Sequence, residues 1–97
     1  DQPDAVQRED GSWFVDGGMV LDRFRHLTGA ALRFPAEDSG AYHTLAGFLL
    51  YQLGVIPRAG DRLDWDGWRF EVADMDGNRI DRLLVAPAEP PTESLSP

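Results

Sequence analysis

The segment from Arg62 to Ala73 constrains the fold of this 97-residue chain more than any other feature. An Asp-Gly pair at its centre separates two runs that alternate apolar and charged residues, which is typical of a β-hairpin with a two-residue turn. With that turn, one face of the hairpin is apolar and the other is charged. The apolar face carries Leu63, Trp65, Trp68 and Phe70. The other face sets opposite charges against each other, Asp64 with Arg69 and Arg62 with Glu71. A shift of one residue would destroy both patterns, so the register is well specified.

A second Asp-Gly pair, Asp10-Gly11, lies between runs rich in Val, Trp and Phe, and it predicts a first hairpin. A two-residue turn at this position pairs Glu9 with Ser12 and Arg8 with Trp13. The Gly-Gly pair that follows ends the second strand of this hairpin.

A third turn signal, Gly77-Asn78, leads into a last strand from Arg79 to Val85. Its alternation is imperfect, because aliphatic side chains fall on both faces. A β-bulge and burial on both faces are the two explanations, and the sequence leaves both open.

Two helices are predicted between the first hairpin and the later strands. Residues 20–27 place apolar side chains at helical spacing, and Gly29 marks the end of that helix. Leu45 to Leu53 is apolar on most sides, with Thr44 as its N-cap and Gly54 as a left-handed C-cap. We expect this second helix to be the central buried element of the fold.

The order strand, strand, helix, helix, strand, strand, strand predicts an α+β fold with a mainly antiparallel sheet. We expect a linker over residues 1–4, one domain over residues 5–85, and a disordered C-terminal tail over residues 86–97. Gly47, inside the second helix, indicates the close approach of another backbone, most simply a strand that crosses the helix. Room for a ligand or a partner chain is the alternative reading of Gly47, and packing is favoured.

Charge and composition argue against several classes of partner. Seventeen acidic residues against nine basic ones give a formal charge of -8. This charge disfavours binding to nucleic acid and adhesion to anionic lipid, since both need clustered basic residues. No apolar run approaches the roughly 20 residues that span a bilayer. We therefore expect no nucleic-acid partner and no direct membrane insertion.

No catalytic constellation is visible in the sequence. His26 and His43 have no Cys or carboxylate at metal-ligand spacing, and Ser12 lacks the context of a nucleophile elbow. The chain contains no Lys, which excludes a Schiff-base lysine. We therefore expect a non-catalytic protein.

Two sets of residues are candidates for binding. Asp74 and Asp76 begin a segment that resembles the opening of a calcium loop, but its glycine and its twelfth residue do not fit an EF-hand. They are weak candidates for binding a divalent cation. Trp65 and Trp68 are candidates for either the core or an interface with a partner, and the core is favoured.

Five motifs, in this order, resemble the CorC/HlyC transporter-associated domain, and the resemblance covers nearly the whole chain apart from its two ends. The motifs are Asp10-Gly-Ser-Trp-Phe-Val-Asp-Gly17, Thr44-Leu-Ala-Gly47, Gly54-Val-Ile-Pro57 with Gly60-Asp61, Trp68-Arg-Phe-Glu-Val72, and Arg79-Ile80.

The resemblance implies a regulatory domain on the cytoplasmic side of the bacterial inner membrane, behind a transmembrane domain and a pair of CBS domains. Proteins of that architecture are linked to magnesium and cobalt efflux and are often labelled hemolysins. The domain is then expected to modulate transport through contacts with the CBS domains of its own parent chain or with a second copy, as a homodimer.

The fold implied by the resemblance is similar to the small half of FAD-binding domains of the PCMH and vanillyl-alcohol-oxidase type. This similarity leaves open a ligand-sensing module that binds FAD, an adenine nucleotide or a divalent cation. No cofactor is expected from the residues themselves, because no glycine-rich loop opens a helix to hold a pyrophosphate.

Overall fold

A computed structural model describes residues 3–88. Most of the predicted tail and part of the predicted linker lie outside the described residues. The elements are β1 (Ala5–Gln7), β2 (Trp13–Asp16), α1 (Leu21–Thr28), a short 3-10 helix (Glu37–Ser39), α2 (Leu45–Leu53), β3 (Arg62–Trp65), β4 (Trp68–Asp76) and β5 (Arg79–Pro87). The predicted α+β order is confirmed. None of these three helices is long and apolar enough to cross a membrane.

The five strands form one antiparallel sheet in the order β1-β2-β5-β4-β3. Both helices lie on one face of this sheet, and the core forms between the two layers. The buried side chains of the sheet are Val15, Phe70, Val72, Ile80, Leu83 and Val85, and those of the helices are Leu21, Phe24, Leu45, Phe48 and Leu49. The opposite face of the sheet is solvated, as expected for an antiparallel sheet, and it carries charged side chains together with the exposed apolar residues Val6 and Phe14.

The β3–β4 hairpin has the predicted turn and register. Asp66 and Gly67 both have positive φ, 51° and 84°, as a two-residue type I′ turn requires. Trp65 lies opposite Trp68, and the charged pair on the other face joins Asp64 to Arg69 at 2.9 Å.

The first hairpin differs from the prediction by one residue. Gln7 lies opposite Trp13, so the predicted pairing of Glu9 with Ser12 and of Arg8 with Trp13 is wrong. A three-residue loop replaces the two-residue turn: Gly11 N–H donates to Arg8 O at 3.0 Å, and Arg8 N–H donates to Ser12 O at 2.8 Å. Gly11 has a φ of 89°, which is typical of a type I turn followed by a glycine bulge.

The Asp10 side chain stabilises this three-residue loop. Its carboxylate accepts a hydrogen bond from Ser12 N–H at 2.9 Å and another from the Ser12 hydroxyl. These bonds hold the pKa of Asp10 below its usual range. An Asp that bonds to the backbone two residues later stabilises this turn locally, and the strand register follows from it.

The second helix has the predicted bounds and caps. The Thr44 hydroxyl oxygen accepts a hydrogen bond from Gly47 N–H at 3.1 Å, and Gly54, with a φ of 75°, donates its N–H to Leu50 O at 2.9 Å. The first helix begins at Leu21, one residue later than predicted. Val20 has extended backbone and forms a bridge with Thr44, which takes it out of the helix.

The last strand extends to Pro87, two residues past its predicted end, because Pro87 pairs with Trp68 at the open end of the sheet. Its imperfect alternation results from a bulge. The register between β4 and β5 shifts on both sides of Asp74, and Asp81 has no partner in β4. Ile80 and Leu83 therefore both face the core, although they are three positions apart in the strand.

The close backbone approach predicted at Gly47 occurs at Gly17 instead. A Cβ on Gly17 would lie 2.3 Å from Ile80 O, whereas a Cβ on Gly47 would meet the Tyr42 side chain at 2.8 Å. Gly17 N–H donates to Asp81 O and Gly17 O accepts from Ala46 N–H, each at 2.9 Å. Gly17 thus joins the end of β2 to β5 and to the first turn of α2.

Replacement of this glycine tests its role in the fold. Gly17→Ala is expected to lower the free energy of unfolding by about 2–4 kcal/mol, because the new methyl group collides with backbone that cannot move without breaking these hydrogen bonds. Gly18→Ala is the matched control, since its Cβ would meet nothing closer than 3.5 Å. Urea unfolding followed by tryptophan fluorescence measures both. Equal stabilities of the two variants would contradict this role of Gly17.

Candidate docking surface

The two tryptophans predicted as core or interface are half-buried and pack against the core. The Trp65 ring centroid is 6.2 Å from that of Phe48, and Trp65 Nε1–H donates to Arg33 O at 2.8 Å. Trp68 meets Phe24 edge to face at 5.8 Å. Both rings are thus committed largely to intramolecular packing. A role for them in an interface stays a prediction.

A different group of apolar side chains is exposed at the end of α2. Tyr51, Val55 and Ile56 are 50 %, 67 % and 55 % exposed, and we call these three residues the α2-end patch. The helix ends at Gly54, and Pro57 is buried one residue beyond the patch. Val55 and Ile56 lie between the C-cap Gly54 and the buried Pro57, and their side chains remain outside the core. Exposed apolar side chains grouped together in this way are typical of a protein interaction site.

Tyr42 supports the α2-end patch through its contact with Tyr51. The Tyr51 ring lies 5.2 Å from that of Tyr42, which is buried and whose hydroxyl donates to Pro35 O. Tyr42 belongs to the long connection between the helices, residues 29–44. The position of the patch therefore depends on what holds this connection in place.

Arg25 of α1 fixes that connection. Its guanidinium donates to Leu32 O at 3.0 Å and to both carboxylate oxygens of Glu37, and it lies 5.7 Å from the centre of the Phe34 ring. Hydrogen bonds from Arg25 hold the pKa of Glu37 below its usual range, with burial opposing the shift. One side chain thus closes the connection through a two-point ion pair and a backbone bond.

The sequence pattern does not reveal the α2-end patch as a site. Gly54-Val-Ile-Pro57 reads as a turn, and the two aliphatic residues attract attention only because they lie in it. The one available signal was a Val-Ile pair placed between a helix-ending glycine and a proline, because such a short segment extends neither a helix nor a strand.

The candidate metal ligands do not converge on a common site. Asp76 forms an ion pair with Arg79 at 3.0 Å, and Asp74 lies opposite Arg82 in the sheet. Within residues 3–88, no three side chains of the metal-binding types come together. The weak prediction of a cation at Asp74 and Asp76 stays a prediction.

The start of α2 offers no free donors for a phosphate group. Leu45 N–H donates to Met19 O at 3.0 Å, Ala46 N–H to Gly17 O at 2.9 Å, and Gly47 N–H to Thr44 Oγ1 at 3.1 Å. A helix N-terminus binds an anion through these same N–H groups. The nucleotide-sensing alternative therefore gains no support from this helix.

The residues considered for catalysis are also apart. Ser12 is buried and its hydroxyl donates to Asp10, while His26 and His43 are exposed on the helical layer. Within residues 3–88 neither histidine is a hydrogen-bond partner of Ser12, and the Asp10 carboxylate that Ser12 does contact also accepts the Ser12 N–H and so holds the turn. What the described surface offers is an apolar contact area.

Comparison with known families gives one clear match. The profile of the family described as "Transporter associated domain", CorC_HlyC, matches residues 6–89. The UPF0053 protein sll0260 of Synechocystis is 45 % identical over 84 residues, which cover 87 % of this chain and 18 % of that protein. The polyamine export protein of Escherichia coli K12 is 38 % identical over 92 residues, 95 % of this chain and 20 % of that protein.

A solved structure has the same architecture. The CorC_HlyC domain of a Xylella fastidiosa Temecula1 hemolysin, determined in complex with Mg²⁺ and Mn²⁺, superposes with a TM-score of 0.77 at 40 % identity. The match covers 90 % of this chain and all of that one. The chain thus corresponds to a whole domain in the solved structure, but it spans only about a fifth of the length of the curated relatives.

The ion pair between Arg25 and Glu37 gives a pH-dependent prediction. Glu37→Gln is expected to lower the free energy of unfolding by about 1–3 kcal/mol near pH 7, since it removes charge-assisted hydrogen bonds from Arg25. A carboxylate whose pKa is lowered by folding stabilises above its unfolded pKa, and this stabilisation is lost as pH falls through the folded pKa. The difference between the wild type and the variant should therefore narrow towards about pH 3.

Urea unfolding at the two pH values, followed by tryptophan fluorescence, measures this difference. Asp38→Asn is the control, because Asp38 is the exposed neighbour and takes part in none of the ion pairs of the described residues. A difference for Glu37→Gln that does not change with pH would contradict the electrostatic explanation.

Proposed function

The chain belongs to the CorC/HlyC family of transporter-associated domains, and from this we propose that it is a non-catalytic accessory domain that modulates an integral-membrane cation transporter. The domain acts by docking onto another part of its own parent protein. The observation that carries the proposal is the α2-end patch, a group of apolar side chains that the domain exposes instead of burying.

Three findings support a docking role for the domain over a catalytic one. The family is described by its association with transporters, the curated relatives are about five times longer than the matched segment, and the described residues bring no catalytic groups together. Because the domain is tethered to its partner, even a small patch is sufficient for docking: a tether sets an effective concentration in the millimolar range.

The proposed cargo is a cation. Magnesium and cobalt are the cargo that the family resemblance implies, and relatives from Escherichia coli are named polyamine export proteins. Divalent metals and polyamines share multiple positive charge, so the choice between them is a question for transport measurements. The proposed docking partners are the CBS pair or the transmembrane part of the parent chain, with the domain on the cytoplasmic side of the inner membrane.

A charge placed in the patch tests this proposal in the full-length protein. Ile56→Asp, or Val55→Asp, is expected to reduce cation efflux several-fold towards the level of a domain deletion, because an interface core does not tolerate a buried unpaired charge. Ala31→Asp is the matched control, at an exposed position in the connection between the helices. Efflux of putrescine, Mg²⁺ and Co²⁺ from loaded cells, together with protein levels in the membrane, is measured for each variant.

The stability of the isolated domain is the second readout. Both patch variants should unfold within about 0.5 kcal/mol of the wild type, since these side chains make few contacts in the domain. Unchanged efflux in the patch variants, or an equal loss in the Ala31→Asp control, would refute docking through the patch. Unchanged efflux on deletion of the whole domain would refute the accessory role itself.

Direct cation sensing is the second candidate function. It is favoured by one observation, the complex of the Xylella fastidiosa domain with Mg²⁺ and Mn²⁺. Titration of the isotope-labelled chain with Mg²⁺ at millimolar concentration tests it by amide chemical shifts. We expect no saturable shifts at Asp74 and Asp76, because the described residues gather no three metal ligands. Saturation at these residues would favour sensing.

A further inference from the structure

A groove of about 440 Å³ lies between α2 and the start of β5. Its lining is mainly apolar and includes Ala46, Gly47 and Leu50 of α2 and Ile80 of β5, and Asp16 and Asp81 also line it. The groove follows from the junction at Gly17, which brings β5 close to the first turn of α2. Small residues on both sides, among them Gly18, leave the space between them open.

Asp16 and Asp81 give the groove a negative character. Asp16 is half-buried, and one of its carboxylate oxygens is held by Gly18 N–H at 2.9 Å. Asp81 lies in the bulge of β5, and its carboxylate forms none of the ion pairs of the described residues. Arg79 is the one basic residue of the lining, and it is paired with Asp76 at 3.0 Å. Asp16 lies opposite Arg82 across β2 and β5, whereas Asp81 is bonded to Gly17 of β2 and has no partner in β4. Asp81 is thus the carboxylate of the groove that no basic residue faces in the sheet.

An apolar lining with carboxylates beside it suits one type of side chain. Arg and Lys lay an apolar stem along apolar surface and keep the cationic head at a polar position. The groove can hold such a stem against Ala46 and Leu50 while the head lies near Asp16 and Asp81. The formal charge of -8 on the chain strengthens this preference for a basic partner.

We propose that the groove is the docking site for a basic segment of the same parent polypeptide, which inserts an Arg or Lys side chain between α2 and β5. The inference rests on the proposed function, since it assumes a longer parent chain, and it adds a second contact on the helical layer beside the α2-end patch. Charge complementarity selects this occupant. A second copy of the domain brings another negative surface to the groove, and like charges disfavour that contact.

Photo-crosslinking in the full-length protein tests this inference. A benzophenone amino acid replaces Gly18 at the groove, where a side chain meets no close neighbour, and in a separate variant it replaces Glu9 in the first hairpin. Glu9 lies at the opposite end of β2 from the groove and is exposed. Position 18 is expected to crosslink within one polypeptide to a segment that contains Arg or Lys, as identified by mass spectrometry, and position 9 is not.

Neutral variants test the role of charge. Asp16→Asn combined with Asp81→Asn should reduce the crosslink at position 18 roughly fivefold or more, and high salt should reduce it as well. Asparagine keeps the oxygen that caps Gly18 N–H, so the fold is expected to be retained, and the amide spectrum of the domain verifies this. Glu9→Gln combined with Asp38→Asn makes the same change of net charge elsewhere and should leave the crosslink unchanged.

Four outcomes would overturn the inference: no crosslink at position 18, a crosslink between two copies, equal crosslinking at position 9, or insensitivity to the Asp16 and Asp81 variants. Saturable amide shifts at Ala46 and Asp81 on addition of free spermidine, with the crosslink absent, would assign the groove to a small amine instead. If deletion of the domain alters efflux while the crosslink is absent, the groove inference fails and the proposed function stands. If deletion has no effect, the proposed function fails whatever the crosslink shows.

Discussion

The helical layer is held to the sheet through Phe70, which lies fully buried on β4. Its ring meets Phe48 of α2 at 5.3 Å, Phe24 of α1 at 5.9 Å and Phe34 of the connection at 6.4 Å. Edge-to-face and tilted contacts at these distances each contribute about 0.5–1.5 kcal/mol beyond the burial of area. Both helices and the segment between them therefore share one centre of packing. Because the two helices are short, this shared contact couples the packing of each helix on the sheet to that of the other.

The junction at Gly17 limits what the same architecture can do chemically. Gly17 O accepts from Ala46 N–H, and with Met19 O and the Thr44 hydroxyl it occupies the N–H groups of the first turn of α2, so these offer no donors to a ligand. The absence of a Cβ at Gly17 also allows Ile80 to approach, and the groove beside α2 forms where the two elements then diverge. The junction at Gly17 thus helps to close the start of α2 to anions and leaves a groove beside it.

The features that sequence reasoning predicted correctly are those set by local chemistry. The hairpin around Asp66-Gly67 has alternation, turn residues and charge pairs that agree on one register, and α2 has a capping residue at each end. The first hairpin was mispredicted because Asp10 bonds to Ser12 and so adds one residue to the loop. An Asp-Gly pair alone is compatible with both turn lengths.

Prediction was also limited where residues distant in the chain meet. Sequence reasoning placed the close backbone approach at Gly47, and only the folded chain shows that it belongs to Gly17. The bulge at Asp81 depends on the register of β5 against β4, which alternation alone does not fix. The α2-end patch was missed for the same reason, since exposure is a property of the packed domain and not of the apolar residues themselves.

The two faces of the molecule differ in how their exposed side chains are engaged. On the solvated face of the sheet, Asp64 pairs with Arg69 and the Arg82 guanidinium lies over the Phe14 ring at 5.9 Å. Side chains on that face pair largely with one another, and their mixed charge favours exposure to solvent. Just after α2, Val55 and Ile56 are exposed. Under the proposed function, these exposed aliphatic side chains supply a contact that can differ between two states of a transporter, and a partner shifts such an equilibrium only by its differential contacts with the two states.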